Sequence, residues 1–158
     1  MTASIVLLTE QALSAADAER LVGLHAPQTP QYRVLVPADT QRSLLADVLD
    51  HLSLLELREA LEAVRGHDDV DRTQAGKALD ATLTELRAVG AQADGGVVQG
   101  DPVTAVEEEL RVHPADELVI VTRPHAVEDT FHTDWASRAR ERLGIPVLHV
   151  YAGSSWLG

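Results

Sequence analysis

The sequence contains no cysteine and a single phenylalanine, and its aromatic residues together make up 3% of the chain. Without cysteine there is no disulfide framework, no thiolate nucleophile and no cysteine-ligated zinc, and a cytoplasmic location is the plain expectation. So few aromatics leave no stacking platform of the kind that single-strand nucleic-acid binders need. Positive charge is scarce as well. Thirteen Lys and Arg stand against 25 Asp and Glu, for a formal charge of −12, and Lys77 is the only lysine. Such a surface repels phosphate backbones, so no nucleic-acid partner is expected. No apolar run approaches the roughly 20 residues that cross a bilayer, so no membrane partner is expected either. Met1 to Thr9 lacks a basic leader segment and reads as a strand rather than a signal peptide. A Gly-x-Ser-x-Gly nucleophile pattern, internal repeats and low-complexity linkers are also missing.

What is present fits one domain over residues 1–158. The chain is 45% hydrophobic and 24% charged, enough for a core of two or three layers. Ser4-Ile-Val-Leu-Leu8 is a continuous apolar run suited to a strand covered on both faces. Ser14-Ala-Ala-Asp17 has the hydroxyl and acid of a helix start, and that helix should reach about Leu24. Tyr32 to Val36 is a second strand. A long helical region follows from about Arg42 to Arg65, with a second capping box at Ser53, and then the polar break Gly66 to Asp71. Helix returns from about Arg72 to Val89, with Ala75, Leu79, Leu83 and Leu86 on one stripe and Gly90 as its C-terminal cap. Gly96 to Gly100 is a short third strand. Asp101-Pro102 opens a helix to about Val112, and Glu117 to Thr122 is the fourth strand. A helix from about Thr133 to Leu143 precedes the last strand, Pro146 to Tyr151.

Strands alternating with helices imply a parallel sheet with right-handed crossovers and helices on both faces. The most apolar strands, the first and fourth, belong at its centre. The expected fold is therefore α/β, a doubly wound five-stranded parallel sheet of order 3-2-1-4-5, with 2-1-3-4-5 as the other admissible order. A receiver domain shares the second order. Its phosphorylation chemistry needs clustered acids and a lysine that Thr9-Glu10, Gly100-Asp101 and a lone Lys77 do not supply.

Residues 97–125, VVQGDPVTAVEEELRVHPADELVIVTRPH, resemble the second half of a universal stress protein. The shared parts are a strand ending at Gly100, the Asp101-Pro102 turn, an amphipathic helix, and Ala115-Asp116 before an apolar strand. GIPVLHVY, Gly144 to Tyr151, resembles that family's closing strand. The resemblance implies a sheet of order 3-2-1-4-5, a homodimer paired through the last strand, a role in the stress response and, in some members, an ATP or AMP cleft. Nucleotide-binding members carry Gly-x2-Gly-x9-Gly-Ser/Thr after the fourth strand, where small residues let backbone N–H groups reach phosphate. The three glycine places fall here on Thr122, His125 and Trp135, followed by Ala136, and no glycine occurs from Thr122 to Leu143. At the end of the first strand, Thr9-Glu10 stands where such relatives place an Asp.

The expected function is accordingly a non-catalytic, dimeric binding or regulatory module with a degenerate nucleotide cleft and no cofactor. The alternative is an ATP- or AMP-binding member, with magnesium, that uses Thr9, Glu10, Val36, Thr122, Arg123 and His125. A third reading takes His125, Glu128, Asp129, His132 and Asp134 as ligands of a metal-dependent enzyme. Their spacing matches no metal motif, so no metal site is assigned. Instead the loop is expected to cap the last helix through Thr130 or Thr133, with Asp134 in its first turn. Arg123 is expected to pair with Glu10, Glu128 or Asp129, and Trp135 and Phe131 to seat the last helix on the sheet. Leu44 to Val64 carries leucines on more than one face, which suits a protein partner as well as the core.

Overall fold

A computed structural model of the chain describes residues 2–38, 72–122 and 129–153, with backbone alone for 129–134. The helical region expected from Arg42 to Arg65 and its suggested partner surface at Leu44 to Val64 lie outside these residues.

Five strands form one sheet: β1 (Ser4–Thr9), β2 (Gln31–Pro37), β3 (Gln92–Val98), β4 (Glu117–Thr122) and β5 (Val147–Tyr151). Their order is β3-β2-β1-β4-β5 and every pairing is parallel. This is the doubly wound order expected from the sequence. β1 is the axis of the sheet. Leu7 is flanked by Val34 of β2 and Val119 of β4, and all three are fully buried. Alternation along these strands feeds two cores. Ile5, Leu7, Tyr32, Val34, Val119 and Val121 face α1 (Ala15–Leu24) and α2, which is helical over residues 72–88. Val6, Leu8, Leu35, Leu118 and Ile120 face α3 (Pro102–Val112) and α4 (Asp129–Leu143).

The helix starts follow their chemistry. Ser14 caps α1, its hydroxyl accepting from the Asp17 amide at 3.1 Å. Asp101 caps α3 in the same manner, accepting from the Thr104 amide at 3.0 Å, with Pro102 in the first turn. Gly90 ends α2 at φ 87°, a left-handed conformation that suits glycine.

Two starts differ from the sequence expectation by four residues, and other strand ends by one or two. β3 starts at Gln92 rather than Gly96, so Gln92-Ala-Asp94 belongs to the strand. As an edge strand it shows little hydrophobic alternation, and its glycines lower the propensity that would mark it. Gly95 is there because of a close approach: a Cβ on it would lie 2.0 Å from the Val34 carbonyl oxygen. α4 starts at Asp129 rather than Thr133, which places Thr130 and Thr133 inside the helix and removes both as N-caps. The polar run His-Thr-Asp has loop-like composition, but Asp129 at the positive end of the helix dipole is a favourable start.

Candidate functional site

In a doubly wound sheet the crevice opens at the carboxyl ends of the strands where the winding reverses. Here the chain winds from β1 out to β3 and then returns to place β4 on the other side of β1, so the crevice lies between β1 and β4. Thr9 pairs in register with Val121, which brings the two strand ends level.

Both threonines at these ends are fully buried. The Thr9 hydroxyl donates to the Gln11 carbonyl at 2.7 Å, folding the β1–α1 loop onto its own root. Farther along that loop the Leu13 amide donates to the Thr82 hydroxyl of α2 at 3.1 Å, a buried bond. Glu10, between these two fastenings, is half-buried and already engaged in an interaction of its own. Thr122 is held doubly to β5. Its carbonyl accepts from the Ala152 amide at 2.8 Å, and its hydroxyl lies 2.8 Å from His149 Nε2. His149 is itself buried and stacks at a tilt against Tyr151, with ring centroids 4.9 Å apart. Just past β5, the Gly153 amide donates to Asp17 Oδ1 at 2.9 Å, joining this strand end to the first turn of α1. Each loop root around the crevice is thus fixed by a polar bond to a neighbouring element.

Of the residues singled out from sequence, Thr9, Glu10 and Thr122 meet at this crevice. Val36 is fully buried in the core facing α1 and α2 and pairs with Val97, one strand further from the crevice. Arg123, His125 and Glu128 lie outside the described residues, as do the side chains of Asp129, Phe131, His132 and Asp134, and with them the metal reading and the Arg123 pairing. Among the described residues no three His, Asp or Glu side chains gather as metal ligands would. Trp135 packs against the core under α4, together with Ala136 and Ala139. A hollow between α1, β4 and β5, lined by Leu13, Asp17, Arg20, Leu21, Val121 and Val150, has an enclosed part only about one water in size.

Three residues of the site were not read from the sequence: Thr82, His149 and Asp17 in its bond to Gly153. Thr82 had a signal, because it continues the apolar stripe through Leu79 and Leu86 yet carries a hydroxyl. His149 had one too, as a polar residue inside PVLHVY.

Arg138 and Arg142 bridge α4 to α3. Arg138 grips both oxygens of Asp101, at 3.0 and 2.8 Å, and Arg142 pairs with Glu107. Although partial burial acts to raise it, the Asp101 carboxyl is held below its ordinary range by hydrogen bonds from Arg138 and Thr104.

No protein-family model matches the sequence, and no curated protein does. Solved structures do share its fold. One is a universal stress protein in complex with cAMP, 16% identical, with a TM-score of 0.56 over 95% of this chain and 97% of the other. Another is the universal stress protein from Archaeoglobus fulgidus in complex with dAMP, 13% identical, with a TM-score of 0.54 over 94% and 98%. A third is a universal stress protein family protein from Arabidopsis thaliana with AMP bound, 12% identical, with a TM-score of 0.54 over 96% and 93%. The chain therefore has the fold of these proteins along nearly its whole length. Among the described residues no helix is long and apolar enough to cross a membrane.

Proposed function

We propose that this chain is a universal-stress-protein-like binding and regulatory module, non-catalytic and dimeric, with a degenerate nucleotide cleft. One observation carries the reading: the hydroxyls at the ends of β1 and β4 are engaged inside the protein, Thr9 with the Gln11 carbonyl and Thr122 with His149. A phosphate wants free donors and bare backbone at this place. From Thr122 to Leu143 the sequence offers no glycine to expose that backbone. Thermal unfolding in millimolar AMP or Mg-ATP tests the cleft. A degenerate cleft leaves the transition where it was, whereas a nucleotide at a hundred times its dissociation constant adds about 2.7 kcal/mol and a clear upward shift.

The second reading is adenine-nucleotide binding through an altered loop, with Thr9, Glu10, Val36, Thr122, Arg123 and His125 around the ligand. The cAMP, dAMP and AMP found in neighbours of the same fold favour it. A nucleoside monophosphate asks less of a phosphate loop than ATP does. A shift with AMP or with Mg-ATP would select it.

The dimer is proposed through β5, which has β4 as its only described strand neighbour and so offers its outer edge to a second copy. Sedimentation equilibrium of the wild type and of Leu148→Lys tests it: the wild type should sediment as a dimer and the variant should not. A protein partner on Leu44 to Val64, a cytoplasmic setting and a role in the stress response complete the proposal.

A further inference from the structure

At the opposite end of the sheet from the crevice, His25 ends α1 in an environment assembled from three elements. Its Nδ1 lies 2.9 Å from the Leu21 carbonyl of α1 and 3.2 Å from the Tyr32 hydroxyl of β2, while Nε2 lies 3.2 Å from the Glu117 carboxylate of β4. These are the groups that face the ring. Two of them, the carbonyl and the carboxylate, only accept hydrogen bonds; the third is a hydroxyl that also donates. Tyr32 is wholly buried, and burial, with the nearby Glu117 charge, pushes its phenol up to about 12. It keeps its proton over the whole working range.

We infer that His25 is a proton-operated hydrogen-bond switch at the end of α1, in which Nδ1 changes partner between Leu21 and Tyr32. With the ring charged, both nitrogens carry hydrogen. Nε2–H then donates to Glu117, and Nδ1–H donates to the Leu21 carbonyl, at the negative end of the helix dipole. That carbonyl needs a donor, because the His25 amide turns instead to the Val22 carbonyl at 3.2 Å. With the ring neutral, one nitrogen must give up its hydrogen. Baring Nε2 would set a lone pair against the Glu117 charge, so the hydrogen stays there and Nδ1 becomes an acceptor. Tyr32 is the donor in reach of it. The Leu21 carbonyl then loses its partner, and the last turn of α1 loosens.

The switch has a signature that a purely structural histidine lacks. Tyr32→Phe removes a donor that only the neutral ring uses, and it preserves the buried volume. The variant should melt within about a degree of the wild type near pH 5, and about 2–4 °C below it near pH 8.5. Nitrogen-15 spectra of the ring should show His25 holding its proton about threefold to tenfold more tightly in the variant. In a His25→Gln background, the added Tyr32→Phe change should cost the same at both pH values. In the wild type, amide exchange in the last turn of α1 should speed up as the ring loses its proton. An equal loss at both pH values in Tyr32→Phe alone would overturn the switch, and so would a neutral ring carrying its hydrogen on Nδ1.

Discussion

Where α1 and α2 lie on the sheet, two of the polar fastenings are buried or half-buried bonds to backbone amides. Thr82 accepts from Leu13, and Asp17 accepts from Gly153. Where α3 and α4 lie, a partly buried pair, Arg33 with Glu109, ties α3 to β2, and exposed ion pairs join helix to helix: Arg138 with Asp101 and Arg142 with Glu107. The first kind sits behind the crevice and holds the loops that frame it. The second kind holds the outer layer together and touches no loop root of β1. Buried bonds lose much when one partner is removed, because an amide is then left without water or protein. Exposed pairs lose little, since solvent and salt replace the partner. The face behind the crevice should therefore be the sensitive one.

The largest effect is expected at Thr82. Thr82→Val keeps the shape and leaves the Leu13 amide unpaired in the core, at a cost of about 1–3 kcal/mol that urea unfolding would measure. Thr82→Ser should recover most of it, and molar salt should change neither result. Next comes Asp101→Ala, which removes the cap of α3 together with the Arg138 pairing, for about 0.5–2 kcal/mol. Asp101 also sets an acid dependence. Its lowered carboxyl contributes stability above the ordinary carboxylate value, near about 4, and that contribution is lost as the pH falls through the lowered value. Asp101→Ala should accordingly flatten the acid limb of a stability–pH curve. Smallest is Arg138→Met, about 0.2–1 kcal/mol in dilute buffer and close to nothing in about 1 M salt. If Arg138→Met cost as much as Thr82→Val, the contrast between the two faces would fail.

The fold was legible because its central strands are buried on both sides. SIVLL and ELVIVT can hardly be anything but strands at the middle of a parallel sheet, and Ser14, Gly90 and Asp101-Pro102 mark helix ends by local chemistry. β3 was read too short because Gln92-Ala-Asp-Gly95 sits on an edge, where burial imposes little pattern. The crevice was half legible. Thr9, Glu10 and Thr122 follow from where strands end, a local property. Their partners do not: Thr82 reaches Leu13 across 69 residues of chain, and Gly153 reaches Asp17 across 136. No periodicity encodes such distances. The His25 cluster was invisible for the same reason, since Glu117 is 92 residues away.

The central position of β1 has a consequence for how the chain is made. β1 leaves the ribosome before the other strands of the sheet, and β2 can join it early, but its other flank stays bare until β4 arrives; Ser4 and its partner Asp116 are 112 residues apart. Throughout that interval a largely apolar strand presents an open edge to whatever is nearby. Synthesis of this protein should therefore be most vulnerable to aggregation, and most dependent on chaperones, in nascent chains that stop short of Glu117.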